Sequence, residues 1–198
     1  GATLYKHLRH RFKHRKRPIS GKKVVILDKV SIDFRTDIIN EKRRFGDWEF
    51  DTIADSENKG SCLTVTERQT GFLLTKKLRK GKSAKSLARE FFYFLLPYKR
   101  WERTITSGNG SEFYEHKYLI QDLNAGFFFA PPYSSMERGL NGYTNGLVRQ
   151  YIPKKQNFNN FNDDDINSFQ IKINKRPRKL LNFDAPIDCF YTNVALTN

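Results

Sequence analysis

Short stretches of alternating apolar and polar residues occupy the first half of the chain and predict β-strands. They are rich in β-branched and aromatic residues and lie at residues 45–55, 61–67 and 72–79. Turn-forming residues separate these stretches at 58–60 and 69–71. Because loops this short join antiparallel neighbours, the pattern predicts a meander of three antiparallel strands.

Further along the chain, apolar residues recur at helical spacing. This pattern predicts helices at residues 83–98, 115–123, 138–152 and 163–175. Two short apolar stretches, at 104–107 and 127–130, predict buried strands between the helices. Three antiparallel strands followed by alternating helices and strands are the succession of an RNase H-like α/β fold, in which helices flank both faces of a five-stranded mixed sheet.

The chain of 198 residues has the length of one ordinary domain with an extended arm. Residues 24–44 mix short apolar pieces with charges, which predicts a connector with little regular structure. We therefore divide the chain into a basic N-terminal arm with its connector, residues 1–44, and an RNase H-like core, residues 45–198.

The chain is strongly basic, with a formal net charge of +15 at pH 7 and a pI near 9.9. Because a basic surface concentrates polyanions, nucleic acid is the first partner to expect. The N-terminal arm has no acid before its connector, and its cations Arg15, Lys16 and Arg17 are candidates for contacts with DNA phosphates. The alternatives are a generally solvated basic surface and a solvated tail without a specific partner.

Cysteine usage and hydropathy exclude several classes of protein. Cys62 and Cys189 lie far apart in no metal-binding spacing, so they indicate neither a disulfide framework nor a zinc site, and they suit a reducing cytoplasm. No apolar run approaches the roughly 20 residues of a membrane-spanning helix, and no secretory signal is recognisable. We expect a cytoplasmic protein with no membrane partner and no small-molecule cofactor.

Three acids occupy alternate positions in the first predicted strand. Asp47, Glu49 and Asp51 project from one face of it, while Trp48 and Phe50 take the other. Carboxylates on one side of a core strand repel each other. Mg²⁺ prefers carboxylate oxygens, so a pair of such ions would relieve the repulsion and could activate a water for phosphodiester cleavage. The alternative is an edge strand whose acids face solvent or nearby arginines.

Four strings, in unbroken order along the chain, carry a resemblance to a known family. They are GDWEFDTI at 46–53, TITSGNGSEF at 104–113, PPYSSMERGLNGYTNGLVRQYIPK at 131–154 and NKRPRKLLNFDAP at 174–186. Together they resemble the catalytic region of bacterial insertion-sequence transposases, which belong to the retroviral-integrase-like DDE integrase-core superfamily. The resemblance implies an RNase H-like core that, in intact relatives, cleaves DNA and joins it to a target with Mg²⁺ or Mn²⁺.

The resemblance also implies the positions of three metal ligands. The first falls on Asp51. The second is an Asp in Thr-x-Asp-Asn-Gly-x-Glu-Phe and falls on Gly108, and the third is a Glu in Arg-Gly-x-Asn-Glu-x-x-Asn and falls on Gly142. Since glycine has no side-chain oxygen, we expect two-metal catalysis to be absent or reduced by orders of magnitude. Glu112 remains as an auxiliary candidate, and Glu49 as a weak metal ligand beside Asp51.

Two groups of residues are candidates for DNA contacts. The first occupies a polar face of the predicted helix at 138–152, a face that lines the DNA groove in the related enzymes: Arg138, Asn141, Asn145 and Arg149. The second surrounds a proline in the last string: Lys175, Arg176, Arg178 and Lys179. For both groups the alternative is a solvated polar surface.

These observations predict a transposase catalytic-core homologue that acts in DNA transposition, binds DNA as a homo-oligomer (a dimer), and is catalytically impaired in this copy. We expect it in a bacterial cytoplasm, associated with the nucleoid. The alternative is a non-catalytic DNA-binding and oligomerisation module derived from a transposase. An RNA-directed nuclease of the same fold agrees less well with the helix string. The prediction requires Asp51, Gly108 and Gly142 to converge at one edge of the sheet.

Overall fold

The computed structural model describes residues 28–55, 60–78, 84–110, 113, 117, 123–131 and 139–197. Nearly all of the helix predicted at 115–123 lies outside the described residues. The same is true of five residues that the sequence singles out as site candidates: Arg15, Lys16, Arg17, Glu112 and Arg138.

Five strands form one mixed sheet. They are β1 (Asp47–Ala54), β2 (Ser61–Glu67), β3 (Leu73–Leu78), β4 (Thr104–Ser107) and β5 (Gly126–Phe129). The order across the sheet is β3-β2-β1-β4-β5; β2 is antiparallel to both of its neighbours, and β4 is parallel to both of its own. This arrangement confirms the predicted five-stranded mixed sheet. It also makes β1 a central strand rather than an edge.

The α-helices among the described residues are α1 (Asp37–Asn40), α2 (Ala84–Leu95), α3 (Gly139–Tyr151), α4 (Asp163–Asn174) and α5 (Pro186–Leu196). α2 ends earlier than predicted, and the chain continues as the 3-10 helix Leu96–Trp101, because Pro97 has no amide hydrogen for an α-helix. α5 is missing from the sequence predictions, although Pro186 at its first position is a signal for it. No described helix combines the length and apolar character that crossing a membrane requires.

Hydrophobic cores fill both faces of the sheet. Trp48 and Phe50 of β1 point to the face that α2 and α5 cover, where the rings of Phe50 and Phe91 stack with their centroids 4.0 Å apart. Ile53 points to the opposite face and packs among residues of α3 and α4, Val148 included. The two-residue period of a strand explains this division, which confirms that helices flank both faces.

Side chains of α4 form hydrogen bonds with backbone groups at the outer edge of the sheet. β3 pairs with β2 on one side only, so its outer backbone groups need other partners. The Asn174 side chain accepts a hydrogen bond from the Leu73 amide at 2.8 Å and donates one to the Leu73 carbonyl at 2.7 Å. The Gln170 side chain accepts from the Thr75 amide at 2.6 Å. The helix therefore supplies the bonds that a further strand would otherwise make.

The described part of the connector packs against the core as an irregular segment. It contains the 3-10 helix Ile32–Phe34 and the single turn of α1, in agreement with the little regular structure predicted for it. Ile32 and Ile39 are buried, and the Phe129 amide of β5 donates to the Val30 carbonyl at 2.8 Å. The domain boundary at residue 44 stays a prediction.

Gly46, the first residue of the first string, precedes β1 directly. Its backbone lies in the left-handed region with φ +93°, and a Cβ atom there would be 1.8 Å from the Trp101 carbonyl oxygen. Its amide donates to Glu67 Oε1 at 3.1 Å. Burial raises the pKa of Glu67, while hydrogen bonds from Thr70 and Gly46 oppose that rise. Only glycine suits this position, because any side chain would overlap the backbone of the neighbouring segment.

We expect Gly46→Ala to lower the free energy of unfolding by about 3 kcal/mol or more, since both the left-handed backbone and the overlap oppose a Cβ atom. Gly71→Ala is the matched control. Gly71 also has a positive φ, +68°, but nothing lies within 4 Å of an added Cβ, so a loss of about 1 kcal/mol is expected. Urea unfolding followed by tryptophan fluorescence measures both variants, and equal losses would contradict the role of the Trp101 carbonyl.

Candidate active site

The first two implied ligand positions lie side by side on neighbouring parallel strands. β1 and β4 pair in a register that sets Phe50 opposite Ser107. Asp51 and Gly108 are the next residues on the two strands, at the carboxyl end of β4. Adjacent strands lie about 4.8 Å apart, so the backbone of Gly108 lies close to that of Asp51.

The third position is on α3, which lies across β1 and β2. Two residues that flank Gly142 in the helix contact the acids of β1. The Asn141 amide donates to Glu49 Oε2 at 2.9 Å, and Asn145 Nδ2 donates to Asp51 Oδ2 at 2.9 Å. Because Gly142 occupies the turn between these two contacts, the structure brings position 142 to the same part of the sheet as Asp51 and Gly108.

Gly142 faces open space. Nothing lies within 4 Å of a Cβ atom added at this position, and its φ lies outside the left-handed range. Gly139 and Gly146, also on the exposed side of α3, have the same freedom. Neither backbone conformation nor packing among the described residues requires glycine at these positions, so a longer side chain fits at 142.

Arginines neutralise two of the three acids of β1. Asp47 is fully buried and accepts from Arg44 Nη2 at 2.7 Å, from Arg44 Nε at 3.1 Å and from Thr104 Oγ1 at 2.6 Å. Glu49, 1% exposed, forms a buried ion pair with Arg68 Nη1, and its second oxygen accepts from the Asn141 amide. The arrangement matches the alternative in which arginines face the acids, except that β1 is central.

The residues present do not fit a pair of hard cations. Within the part of the chain that the structure describes, no group of three His, Cys, Asp or Glu side chains could hold a metal ion. Asp51 alone stands at an implied ligand position, whereas Mg²⁺ demands near-octahedral coordination by about six oxygens. Glu49 could reach a metal only by giving up Arg68, which argues against its predicted weak role. We therefore assign no chemical step to a metal at this site.

Three of the residues predicted to face DNA from α3 instead face the sheet. Asn141 is 0% exposed and accepts from Thr66, while Asn145 Oδ1 accepts from Thr64 Oγ1 at 2.8 Å. Residues four apart in a helix share one face, and here that face packs on the polar face of β1 and β2. This placement differs from both expectations, a DNA-facing surface and a solvated one.

Arg149, the third of these residues, is half-buried at the other end of α3. Its Nη2 donates to the Ala54 carbonyl at 2.5 Å, and its guanidinium lies 5.7 Å from the centroid of the Phe158 ring. Desolvation lowers the pKa of Arg149, and the nearby Cys62 and Asp55 oppose that change. The residue thus closes the carboxyl end of β1 and presents only part of its side chain to solvent.

The second basic cluster lies between α4 and α5 and lines a cleft of about 510 Å³ against α3. Lys175, Arg176 and Lys179 are exposed. Arg178 is half-buried instead: it donates to the Tyr143 hydroxyl at 3.0 Å and to the Ile173 carbonyl at 3.1 Å, which ties the cluster to α3.

Sequence reasoning missed the two arginines that neutralise the acids. Arg44 precedes Asp47 by three residues, a proximity that could have indicated the pair. Arg68 carries no such signal, because its approach to Glu49 depends on the antiparallel register of β1 and β2, in which Trp48 opposes Glu67.

The fold is that of an integrase-type catalytic core. A solved structure, the catalytic core domain of BIV integrase, matches the chain with a TM-score of 0.58 and 15% sequence identity, covering 76% of this chain and 97% of that one. At this identity the likeness shows the fold alone, which is RNase H-like. No protein-family model matches the sequence.

The chain is a homologue of bacterial insertion-sequence transposases. It is 40% identical over 193 residues to the transposase for insertion sequence element IS4351 of Bacteroides fragilis. It is 37% identical over 186 residues to the probable transposase for insertion-like sequence element IS1161 of Streptococcus salivarius, and 29% identical over 193 residues to the transposase InsI for insertion sequence element IS30A of Escherichia coli K12. These alignments cover 96%, 92% and 96% of this chain but only 59%, 51% and 49% of the relatives, so the chain spans about half to three-fifths of their length.

The buried pair of Glu49 and Arg68 should be essential for stability. We expect Arg68→Met to lower the free energy of unfolding by about 3–5 kcal/mol, because it leaves Glu49 charged and unpaired in the core. A second change, Glu49→Leu, should restore part of the loss. Arg43→Met is the matched control, since Arg43 pairs with Glu41 on the surface, and a change of at most about 0.5 kcal/mol is expected. A loss below about 1 kcal/mol for Arg68→Met in urea unfolding would contradict this assignment.

Proposed function

We propose that this chain carries the core of a bacterial insertion-sequence transposase that has kept DNA binding and lost metal-dependent cleavage and strand transfer. The proposal rests on the glycines at the implied ligand positions 108 and 142. They occur in a chain otherwise similar to transposases along 92–96% of its length, and Gly108 lies next to Asp51 on the neighbouring strand. In intact relatives we propose that carboxylates at the three positions bind Mg²⁺ or Mn²⁺. DNA is the proposed partner, and the proposal includes no small-molecule cofactor.

What this chain's own residues do at the site is structural. Asn145 holds the Asp51 carboxylate, and Arg68 holds Glu49. Neither Gly108 nor Gly142 offers a side-chain oxygen for a metal ion or a side chain for proton transfer. A core of this kind retains its shape and its surface charge, but none of its described residues is placed to cleave a phosphodiester. Glu112 stays a candidate auxiliary ligand outside the described residues.

Binding of DNA is supported by the charge of +15 and by the exposed cations of the second basic cluster. We propose Lys175, Arg176 and Lys179 as phosphate contacts, with Arg178 as the residue that positions them. Arg15, Lys16, Arg17 and Arg138 remain proposed contacts outside the described residues. We do not retain Asn141, because it is entirely buried. A cytoplasmic, nucleoid-associated location and a homodimer belong to the same proposal.

A second candidate function is a non-catalytic module that binds DNA and assembles with active copies. One observation favours it: internal arginines balance the buried acids, so the core needs no metal ion for its charge balance. Under this reading the chain would bind DNA and associate with an intact transposase without any turnover of its own.

Restoring both ligands tests the assignment of the glycines. We expect the double variant Gly108→Asp/Gly142→Glu to bind Mn²⁺ by calorimetry and to nick supercoiled plasmid DNA, while the unaltered chain does neither. Adding Asp51→Ala to the double variant should abolish both. Circular dichroism verifies that each variant is folded. A folded double variant that binds no Mn²⁺ would contradict the alignment of the three positions, and nicking by the unaltered chain that Asp51→Ala removes would contradict the loss of catalysis.

Charge removal at two places tests the DNA surface. Arg176→Ala/Lys179→Ala should weaken binding to a DNA duplex and reduce the slope of log K against log salt by about 2, since each phosphate contact contributes about 0.9. Lys154→Ala/Lys155→Ala removes the same charge from exposed residues outside the cluster, in the segment that follows α3, and should change the slope little. Fluorescence anisotropy between 50 and roughly 200 mM salt measures both. Equal slopes for the two variants would count against the cluster.

A further inference from the structure

We infer that the loop at residues 178–184 contacts DNA bases directly, by placing Leu180 and Phe183 against bases that are unpaired or unstacked. The inference rests on the proposed DNA binding and names the form of DNA that this surface would prefer. It concerns two apolar side chains whose exposure is not explained by the binding of phosphates.

The two side chains are exposed to a degree that folding does not explain. Leu180 is 95% exposed, the highest value among the large hydrophobic side chains of the described residues, and Phe183 is 71% exposed. They lie three positions apart in one short loop. Apolar groups in water contribute nothing to core packing. We call the part of the loop that carries Leu180 and Phe183 its tip; it is a small apolar surface without a partner in the described structure.

Backbone hydrogen bonds hold the loop in a single conformation. The Arg178 amide donates to the Asp184 carbonyl at 3.0 Å, and the Phe183 amide donates to the Arg178 carbonyl at 2.9 Å. Asn182 and Phe183 are both left-handed, with φ of 52° and 69°. This conformation is uncommon for a bulky residue and costs of order 1 kcal/mol or more. The chain therefore holds Phe183 outward at an energetic cost, which points to a use for its ring.

The charges around the tip select the partner. Arg176 and Lys179 are exposed beside the two apolar side chains, and Asp184 is the one acid between residues 174 and 186. A second copy docked symmetrically on this loop would bring each cation against its own counterpart. DNA instead offers phosphates for the cations and flat apolar faces for Leu180 and Phe183, a combination that basic proteins use when they insert apolar side chains at base steps or stack on single strands.

The loop is also coupled to the candidate active site. Arg178 donates to the Tyr143 hydroxyl, and its guanidinium lies 5.5 Å from the centroid of the Tyr143 ring. Tyr143 directly follows Gly142, the third implied ligand position. Bases held by the tip would therefore lie along the flank of α3, near the part of the helix that carries position 142.

Two duplexes of equal length, one fully paired and one with a central unpaired bubble carrying 2-aminopurine, provide the test. The variant is Leu180→Ala/Phe183→Ala. Its matched control is Leu196→Ala/Phe34→Ala, which removes one leucine and one phenylalanine of similar exposure, 79% and 76%, from other parts of the surface. Anisotropy gives the affinities, and 2-aminopurine fluorescence reports stacking on the bases.

We expect the unaltered chain to prefer the bubble and to change the 2-aminopurine signal. The tip variant should lose about tenfold or more in affinity for the bubble, because stacking on even one base is worth that much. Its affinity for the paired duplex and its salt slope should stay the same, and the control variant should behave as the unaltered chain does.

Other outcomes overturn the inference in distinguishable ways. Equal losses for both duplexes, or a loss in the control variant as well, would reject base contacts at the tip. If sedimentation showed a dimer for the unaltered chain and a monomer for the tip variant, the loop would instead be a contact between two copies of the chain. If the unaltered chain bound neither duplex, the proposed function itself would fail, whereas unchanged binding by the tip variant would reject the tip alone.

Discussion

The buried carboxylates of β1 are the constraint on which the rest of the structure depends. Asp47 and Glu49 lie in the central strand with almost no exposure to solvent, and a buried carboxylate is stable only with a partner. Arg44 reaches Asp47 from the connector, and Arg68 reaches Glu49 from the turn after β2. These two pairs tie segments from outside the strand to its centre, so the connector contributes to the charge balance of the core.

Internal charge balance explains how the fold persists with glycine at two of the implied ligand positions. If metal ions were needed to neutralise the acids of β1, glycines at 108 and 142 would destabilise the core as well as end catalysis. Guanidinium groups carry out that neutralisation instead, and the Asp51 carboxylate accepts a hydrogen bond from Asn145. In this chain the charge balance of Asp47 and Glu49 therefore does not depend on a metal ion.

The elements of the fold could be predicted from local patterns because strand and helix periodicities act over a few residues. The bounds predicted for β2 and β4 agree with the structure, and the alternation in β1 correctly divides Phe50 from Glu49. The pairing of Arg68 with Glu49 could not be predicted, since it depends on strand register. The sequence also could not show whether the polar face of α3 points to the sheet or to solvent. A polar helix face has the same sequence pattern when it packs on a polar strand face as when it is exposed to water.

α3 packs a mixed polar and apolar face on the sheet, and the contacts of that face account for the helix's tolerance of glycine on its exposed side. Its inner face includes Asn141 and Asn145, bonded to the acids and threonines of β1 and β2, while its outer face carries Gly142 and Gly146. Each outward glycine costs about 1 kcal/mol relative to alanine. Hydrogen bonds to buried partners, together with the packing of Leu147 and Val148, hold the helix from within. The helix therefore does not depend on a side chain at position 142 to stay in place.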